Sequence, residues 1–289
     1  MRWIVGLDLL ELSHGAIRFA KWIHRHHPDE EMFGVHSLGP QPQSFASADQ
    51  SEEELRQWIL GLAERSVADQ GASSSFAGVA VVEATAPEDG LEHGLALKQA
   101  SALIIGRKAR RGEDPVVRLG RVARRLLRQM ASPIAVVPPD LEEDLPPGPV
   151  VLATDLEPSS DSALRFARDF AAMVGRELLV VHAVSVQSAL QVYVAASAWD
   201  RAHLEATERG QAAVSAYLEK HGISAQIEVV RGPIAFGILS ACERAQACVL
   251  ISGSRRLSFV DRIFNSSVGG ELAALAAIPV IVVPPPEKG

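Results

Sequence analysis

Short apolar runs recur along the chain, each followed by a polar turn and a longer stretch with apolar residues spaced three and four apart. In the C-terminal half the runs at about 149–154, 177–184, 224–230, 247–252 and 279–283 predict strands. The patterns between them predict helices over about 159–174, 196–221, 232–245 and 267–277. Runs such as VVLAT, CVLIS and VIVV are nearly continuous rather than alternating, which implies strands buried on both faces. Strands alternating with helices predict an α/β fold built on a parallel sheet, with ligands bound beyond the strands' carboxyl ends.

The same pattern is written twice. WIVGLDLLELSHGAIRFAKWI (3–23) matches VLATDLEPSSDSALRFARDFA (151–171), and FGVHSL (33–38) matches VVHAVS (180–185). LIIG (103–106) matches LISG (250–253), and SPIAVVPP (132–139) matches IPVIVVPP (278–285). All four matches keep their order and nearly the same offset, so the chain is read as a tandem repeat. Between the copies PPDLEEDLPPGP (138–149) reads as a semi-rigid, acidic linker, because proline stiffens it and blocks regular pairing. The predicted domains are 1–145 and 146–289. SPIAVVPP and IPVIVVPP read as short apolar edge strands, and pairing them within the chain would cover both edges.

The Asp after the first apolar run, the His closing the second, the Gly after the fourth and the final P-[IV]-x-V-V, in that order in both copies, resemble the universal stress protein family. The resemblance implies two Rossmann-like five-stranded parallel sheets in 3-2-1-4-5 order, paired within the chain as a pseudo-dimer, with a further homodimer open. Some members bind ATP through G-x2-G-x9-G-[ST], and others lack the motif and the activity. Here the second copy reads Gly253-x2-Arg256-x9-Ser266-Ser267, and the resemblance adds Asp155, Ala183 and Val268 as the matching nucleotide contacts. In the first copy Gly106 and Gly120 match, Ala109 replaces the middle glycine, and Arg121 takes the hydroxyl position. Neither loop is intact. Arg256 sets a long side chain, and Ser266 a Cβ, where phosphates would approach the backbone. ATP, if bound at all, is expected in the second domain and weakly, since losing two charged hydrogen bonds at about 1.5–3 kcal/mol each costs more than about a hundredfold.

Asp8 and Asp155 could bond a ribose or base, or cap the turn that follows. Ser266 and Ser267 could bond phosphate or serve as an N-cap. His24, His26 and His27 are read as a favourable helix C-terminus rather than a metal site, and His36 and His182 as structural. The segment 106–130 stands out in a chain of net charge −7: Arg107, Lys108, Arg110 and Arg111 precede Arg121, Arg124, Arg125 and Arg128 at helical spacing. It reads either as a polyanion or acidic-partner site, or as an exposed face balanced by the acids 140–144, with the loop 107–118 expected to be mobile and exposed.

The 289 residues, 47% hydrophobic and 22% charged, describe globular domains, and the acidic balance argues against non-specific nucleic-acid binding by the whole molecule. No membrane-length apolar run is present, and the two cysteines form neither a disulfide framework nor a zinc pattern. The first apolar stretch is cut by Asp8, too early for a secretory leader. A reduced cytoplasmic setting is expected. The leading expectation is a non-enzymatic stress-response binding or regulatory module without a certain cofactor. The alternatives are an ATP-binding protein with slow hydrolysis, and a polyanion binder. No Walker lysine, magnesium-holding pair or general-base constellation supports catalysis.

Overall fold

The computed structural model describes residues 1–39, 51–108, 119–129, 131–184, 196–254 and 268–285. Its contacts divide the chain into two units. Unit 1 comprises Met1–Leu145 with Ala273–Ile281, and unit 2 comprises Pro146–Leu272 with Val282–Gly289.

Unit 1 contains strands β1 (Arg2–Gly6), β2 (Glu31–Leu38), β3 (Phe76–Glu83), β4 (Ala102–Gly106) and β5 (Ile134–Val137). Its helices are α1 (His14–His26), α2 (Glu52–Asp69), α3 (Pro87–Lys98) and α4 (Arg121–Gln129). The strand order is β3-β2-β1-β4-β5, and every recorded pairing among these strands is parallel. Trp3, Ile4 and Val5 of β1 are fully buried, as the continuous apolar run requires of a strand covered on both faces. β1 and β4 lie side by side while their neighbours run outward in opposite directions, so the crevice at their carboxyl ends is the switch point of this sheet.

Unit 2 repeats the plan. The second copy in sequence carries β6 (Val150–Thr154), β7 (Leu178–Val184), β8 (Gln226–Arg231), β9 (Val249–Gly253) and β10 (Val280–Val283) in the order β8-β7-β6-β9-β10, with Val280 and Ile281 counted by contacts in unit 1. Helices α5 (Asp161–Met173), α6 (Ala196–Lys220), α7 (Ile234–Arg244) and α8 (Val268–Leu275) fall within a few residues of the sequence expectation.

The first helix of each copy meets the end of the last strand by a different device. A Cβ on Gly15 of α1 would lie 1.8 Å from the carbonyl oxygen of Pro138, so only glycine permits that approach. At the equivalent place in unit 2, the Ser162 hydroxyl donates to the Pro284 carbonyl at 2.7 Å. One copy removes the side chain, and the other uses it.

Two acids of the linker are held by α1 and not by the described arginines of α4. Glu143 pairs with Lys21 at 2.5 Å and Asp144 with Arg25 at 2.7 Å, while Arg18 donates to the Leu141 carbonyl at 2.8 Å. The hydrogen bond from Lys21 holds the Glu143 carboxyl below its ordinary range. Leu141 and Leu145 are buried, so this part of the linker is fastened along α1 by an apolar and an ionic stitch together.

These geometries predict opposite mutational sensitivities. Gly15→Ala forces backbone to move and should destabilise the protein by about 1–3 kcal/mol, the range of an overpacked site. Ser162→Ala loses one hydrogen bond and should cost about 1 kcal/mol. Urea unfolding of the two variants checks the ranking; equal midpoints would contradict it.

Candidate functional site

In each unit the chain leaves the first strand through an Asp-Leu pair whose leucine is left-handed, Leu9 at φ 60° and Leu156 at φ 64°. Such a conformation is costly for a residue with a Cβ, and the preceding carboxylate offsets it with local hydrogen bonds. Asp8 Oδ1 accepts from the backbone N–H groups of Leu10 at 2.9 Å and Ser13 at 3.2 Å. Asp155 Oδ1 accepts from Glu157 N–H at 3.1 Å and from the Ser160 hydroxyl at 2.8 Å. Capping, one of the two readings of these acids, is therefore realised in both units.

The strand-end histidines are equally matched. His36 Nδ1 lies 2.8 Å from the Leu7 carbonyl, and His182 Nδ1 lies 2.9 Å from the Thr154 carbonyl. A carbonyl only accepts, so Nδ1 carries the proton in each bond and Nε2 of the neutral ring is an acceptor. Each imidazole ties the end of the second strand to the end of the first.

Gly106 closes β4 under a tight constraint. A Cβ there would meet the Leu12 carbonyl oxygen at 2.1 Å, which accounts for the glycine without any phosphate. Gly253 is less confined, since its nearest obstacle would be the Ser160 hydroxyl at 3.1 Å. Gly120 adopts φ +75° immediately before α4 and supplies the left-handed turn that aims this helix.

These features enclose a cavity of about 300 Å³ in unit 1, at the carboxyl ends of β1, β2 and β4. Leu7, Asp8 and His36 line it from the strand ends, Pro87 and Leu91 from α3, and Gly120–Ala123 from the start of α4. Lys108 and Arg121 also line it and are exposed. Glu88, at the first turn of α3 and 1% exposed, pairs with Arg125 of α4 at 2.7 Å and so ties the two helices that wall the cavity. Sequence reading missed this pair; Pro87 followed by an acid marks a helix start but does not reveal its burial.

The sequence pointed to the second copy as the better site. Asp155, Ala183, Gly253 and Val268 take positions at the ends of β6, β7 and β9 and the start of α8. Arg256, Ser266 and Ser267 lie outside the described residues, as do Ala109, Arg110 and Arg111.

Of the basic residues, Lys108, Arg121, Arg125 and Arg128 are exposed as expected, but Arg107 is not. It is 1% exposed, its backbone N–H bonds the Val137 carbonyl at 2.9 Å, and its Nη1 donates to the carbonyls of Ala273 and Ala274 at 3.3 and 2.8 Å. The residue after β4 continues the ladder to β5, so its side chain turns inward, where helix-end carbonyls take the guanidinium. Arg107 thus leaves the set of surface candidates, and the exposed loop expected over 107–118 does not include it.

Two of the helix-end histidines have structural partners. His24 and His26 donate from Nδ1 to the carbonyls of Glu30 and Trp22 at 3.2 and 2.9 Å. No cluster of metal-ligating side chains occurs among the described residues, and no described helix is long and apolar enough to cross a membrane. Tyr217 donates to Asp161 at 2.8 Å, tying α6 to α5, and burial with that bond pushes its phenol upward. Cys242 and Cys248 are free and buried, and burial pushes their thiols up to about 12 and about 11.

A sequence model of the Universal stress protein family matches residues 1–138 and 148–284. Among solved structures, a universal stress protein from Archaeoglobus fulgidus DSM 4304 is similar with a TM-score of 0.68 and 16% identity, covering 98% of each chain. A functionally unknown protein from Pseudomonas aeruginosa PAO1 gives 0.64 and 15% identity, over 98% of this chain and 92% of its own. A universal stress protein from Archaeoglobus fulgidus in complex with dAMP gives 0.31 and 22% identity, over 47% of this chain and 97% of its own. The first two establish likeness of fold, and the third is too low in score to bear on the site. No curated protein matches the chain.

The raised thiols carry a direct prediction. A thiol pushed up stays protonated, and the thiolate is the reacting form. At pH 8 both cysteines should resist a disulfide reagent in the folded protein and react promptly in denaturant. Rapid modification of either one without denaturant would contradict the burial described.

Proposed function

The chain belongs to the universal stress protein family, and we propose that it works there as a non-enzymatic binding and regulatory module that takes a small anionic ligand in unit 1. The observation that carries this reading is the cavity of about 300 Å³ at the switch point of the sheet. Its lining suits a ligand with two ends. Leu7, Leu91 and Val122 offer apolar contact, the His36 ring offers an acceptor to a donor on the ligand, and Lys108 and Arg121 offer positive charge.

The non-enzymatic part of the proposal rests on commitments of the reactive groups. Asp8 is engaged in capping, the His36 ring is fixed to a carbonyl, and both thiols are buried. ATP fits this chemistry poorly. Arg121 takes the place of the hydroxyl that would receive a phosphate in the first copy, and Arg256 stands at a glycine position in the second. The proposed intrachain pairing through 132–139 and 278–285, and a reduced cytoplasmic setting, belong to the same reading. They rest on the repeat, on the cost of bare strand edges and on the free thiols.

Calorimetry with ATP and magnesium, and separately with a nucleoside monophosphate, tests the proposal when wild type is compared with Val122→Trp, which fills the unit 1 cavity. ATP should bind weakly or not at all, and any monophosphate binding should vanish in the variant. Low-micromolar ATP binding would overturn the claim of degenerate loops. Binding that survives Val122→Trp would move the site to unit 2 and revive the ATP-binding alternative.

A further inference from the structure

Helix α4 presents Arg121, Arg124, Arg125 and Arg128 to solvent, while Ala123 and Leu126 on its other side are 2% and 0% exposed. The arginines fall at i, i+3, i+4 and i+7, so they form one stripe about 10 Å long. Of the linker acids, Glu143 and Asp144 are taken by Lys21 and Arg25 of α1. Glu88 holds Arg125 at 2.7 Å, and Arg124 Nε donates to the Gly120 carbonyl at 3.1 Å. No carboxylate pairs with Arg121, Arg124 or Arg128 among the described residues.

The repeat supplies an internal comparison. SPIAVVPP and IPVIVVPP align the end of α4 with the end of α8, which sets Glu271 opposite Arg125, Ser267 opposite Arg121 and Gly270 opposite Arg124. Leu126 and Leu272 correspond, and both are fully buried. The fold therefore needs the apolar residue and not the arginines. A stripe that packing does not require, in a chain of net charge −7, is a feature of the surface itself.

We propose that this face of α4 docks an acidic segment of a partner protein, with carboxylates repeated along one side of a helix or extended strand. Guanidinium forks match carboxylates in pairs, and Glu88 pre-orients one of them. A nucleic-acid duplex fits less well. It carries a charge every ~1.7 Å and would run past a stripe of ~10 Å onto a net acidic body, whereas a short peptide stays within a Debye length of the arginines.

Fluorescence anisotropy tests this with the full chain and a labelled helical peptide bearing Glu at i, i+3, i+4 and i+7. The controls are the same peptide with Gln and a short DNA duplex. The Glu peptide should bind at low salt, weaken strongly at high salt, and weaken at least about tenfold against the double variant Arg124→Glu, Arg128→Glu. Neither residue lines the cavity, and circular dichroism confirms that the exposed substitutions leave the fold intact. Equal affinity for the Gln peptide, indifference to the double variant or no binding at low salt would overturn the proposal. Tighter binding of the duplex than of the Glu peptide would replace the acidic segment with a nucleic acid.

Discussion

The Leu12 carbonyl oxygen occupies almost the space a Cβ of Gly106 would need, 2.1 Å away. Much of unit 1's crevice depends on that contact between two backbones. It brings the loop after β1 against the end of β4, and the Asp8 cap then fixes the loop's path through Leu10 and Ser13. With the loop held, His36 can reach the Leu7 carbonyl, and the ends of three strands become one rigid surface. Helix α4 closes over this surface because Gly120 turns it there and Glu88 holds Arg125. A buried carboxylate facing a half-exposed guanidinium is strongly disfavoured without its partner, so either loss should loosen the wall.

Unit 2 builds the same frame with slack where unit 1 is tight. Gly253 faces the Ser160 hydroxyl rather than a carbonyl, and Ser162 replaces Gly15. Ile234 stands where Glu88 does in the first copy, and it is 43% exposed. The position equivalent to Glu88 therefore cannot make this ion pair in the second copy. Two copies of one plan have kept the strand-end locks, His to carbonyl and Asp to loop, and diverged in what closes the crevice.

Much of the fold was legible in the sequence because it rests on patterns that repeat at fixed periods. The continuous runs VVLAT and CVLIS became β6 and most of β9, and the stretch predicted as a helix at 232–245 became α7 at Ile234–Arg244. The site was less legible. Motif matching favoured the second copy for its serine pair, which lies outside the described residues, while the wall of the unit 1 cavity is built by a contact far apart in sequence, Glu88 with Arg125. Arg107 was grouped with its basic neighbours because charge runs show no direction, and its burial follows from the ladder continuing one residue beyond β4. Composition offered the acids 140–144 as one possible balance for the arginines, whereas the register of α1 gives Glu143 and Asp144 the cations Lys21 and Arg25.

The central claim is that the ligand site of this chain lies in unit 1, between the strand ends and α4. A crystal structure of protein purified gently, without added nucleotide, tests it most directly. Ligand density between Leu91 and Val122, with a polar atom on His36 Nε2 and an anionic group near Lys108 and Arg121, is the expected result. Density at Asp155, Ala183 and Gly253 instead, over an empty first crevice, would contradict it.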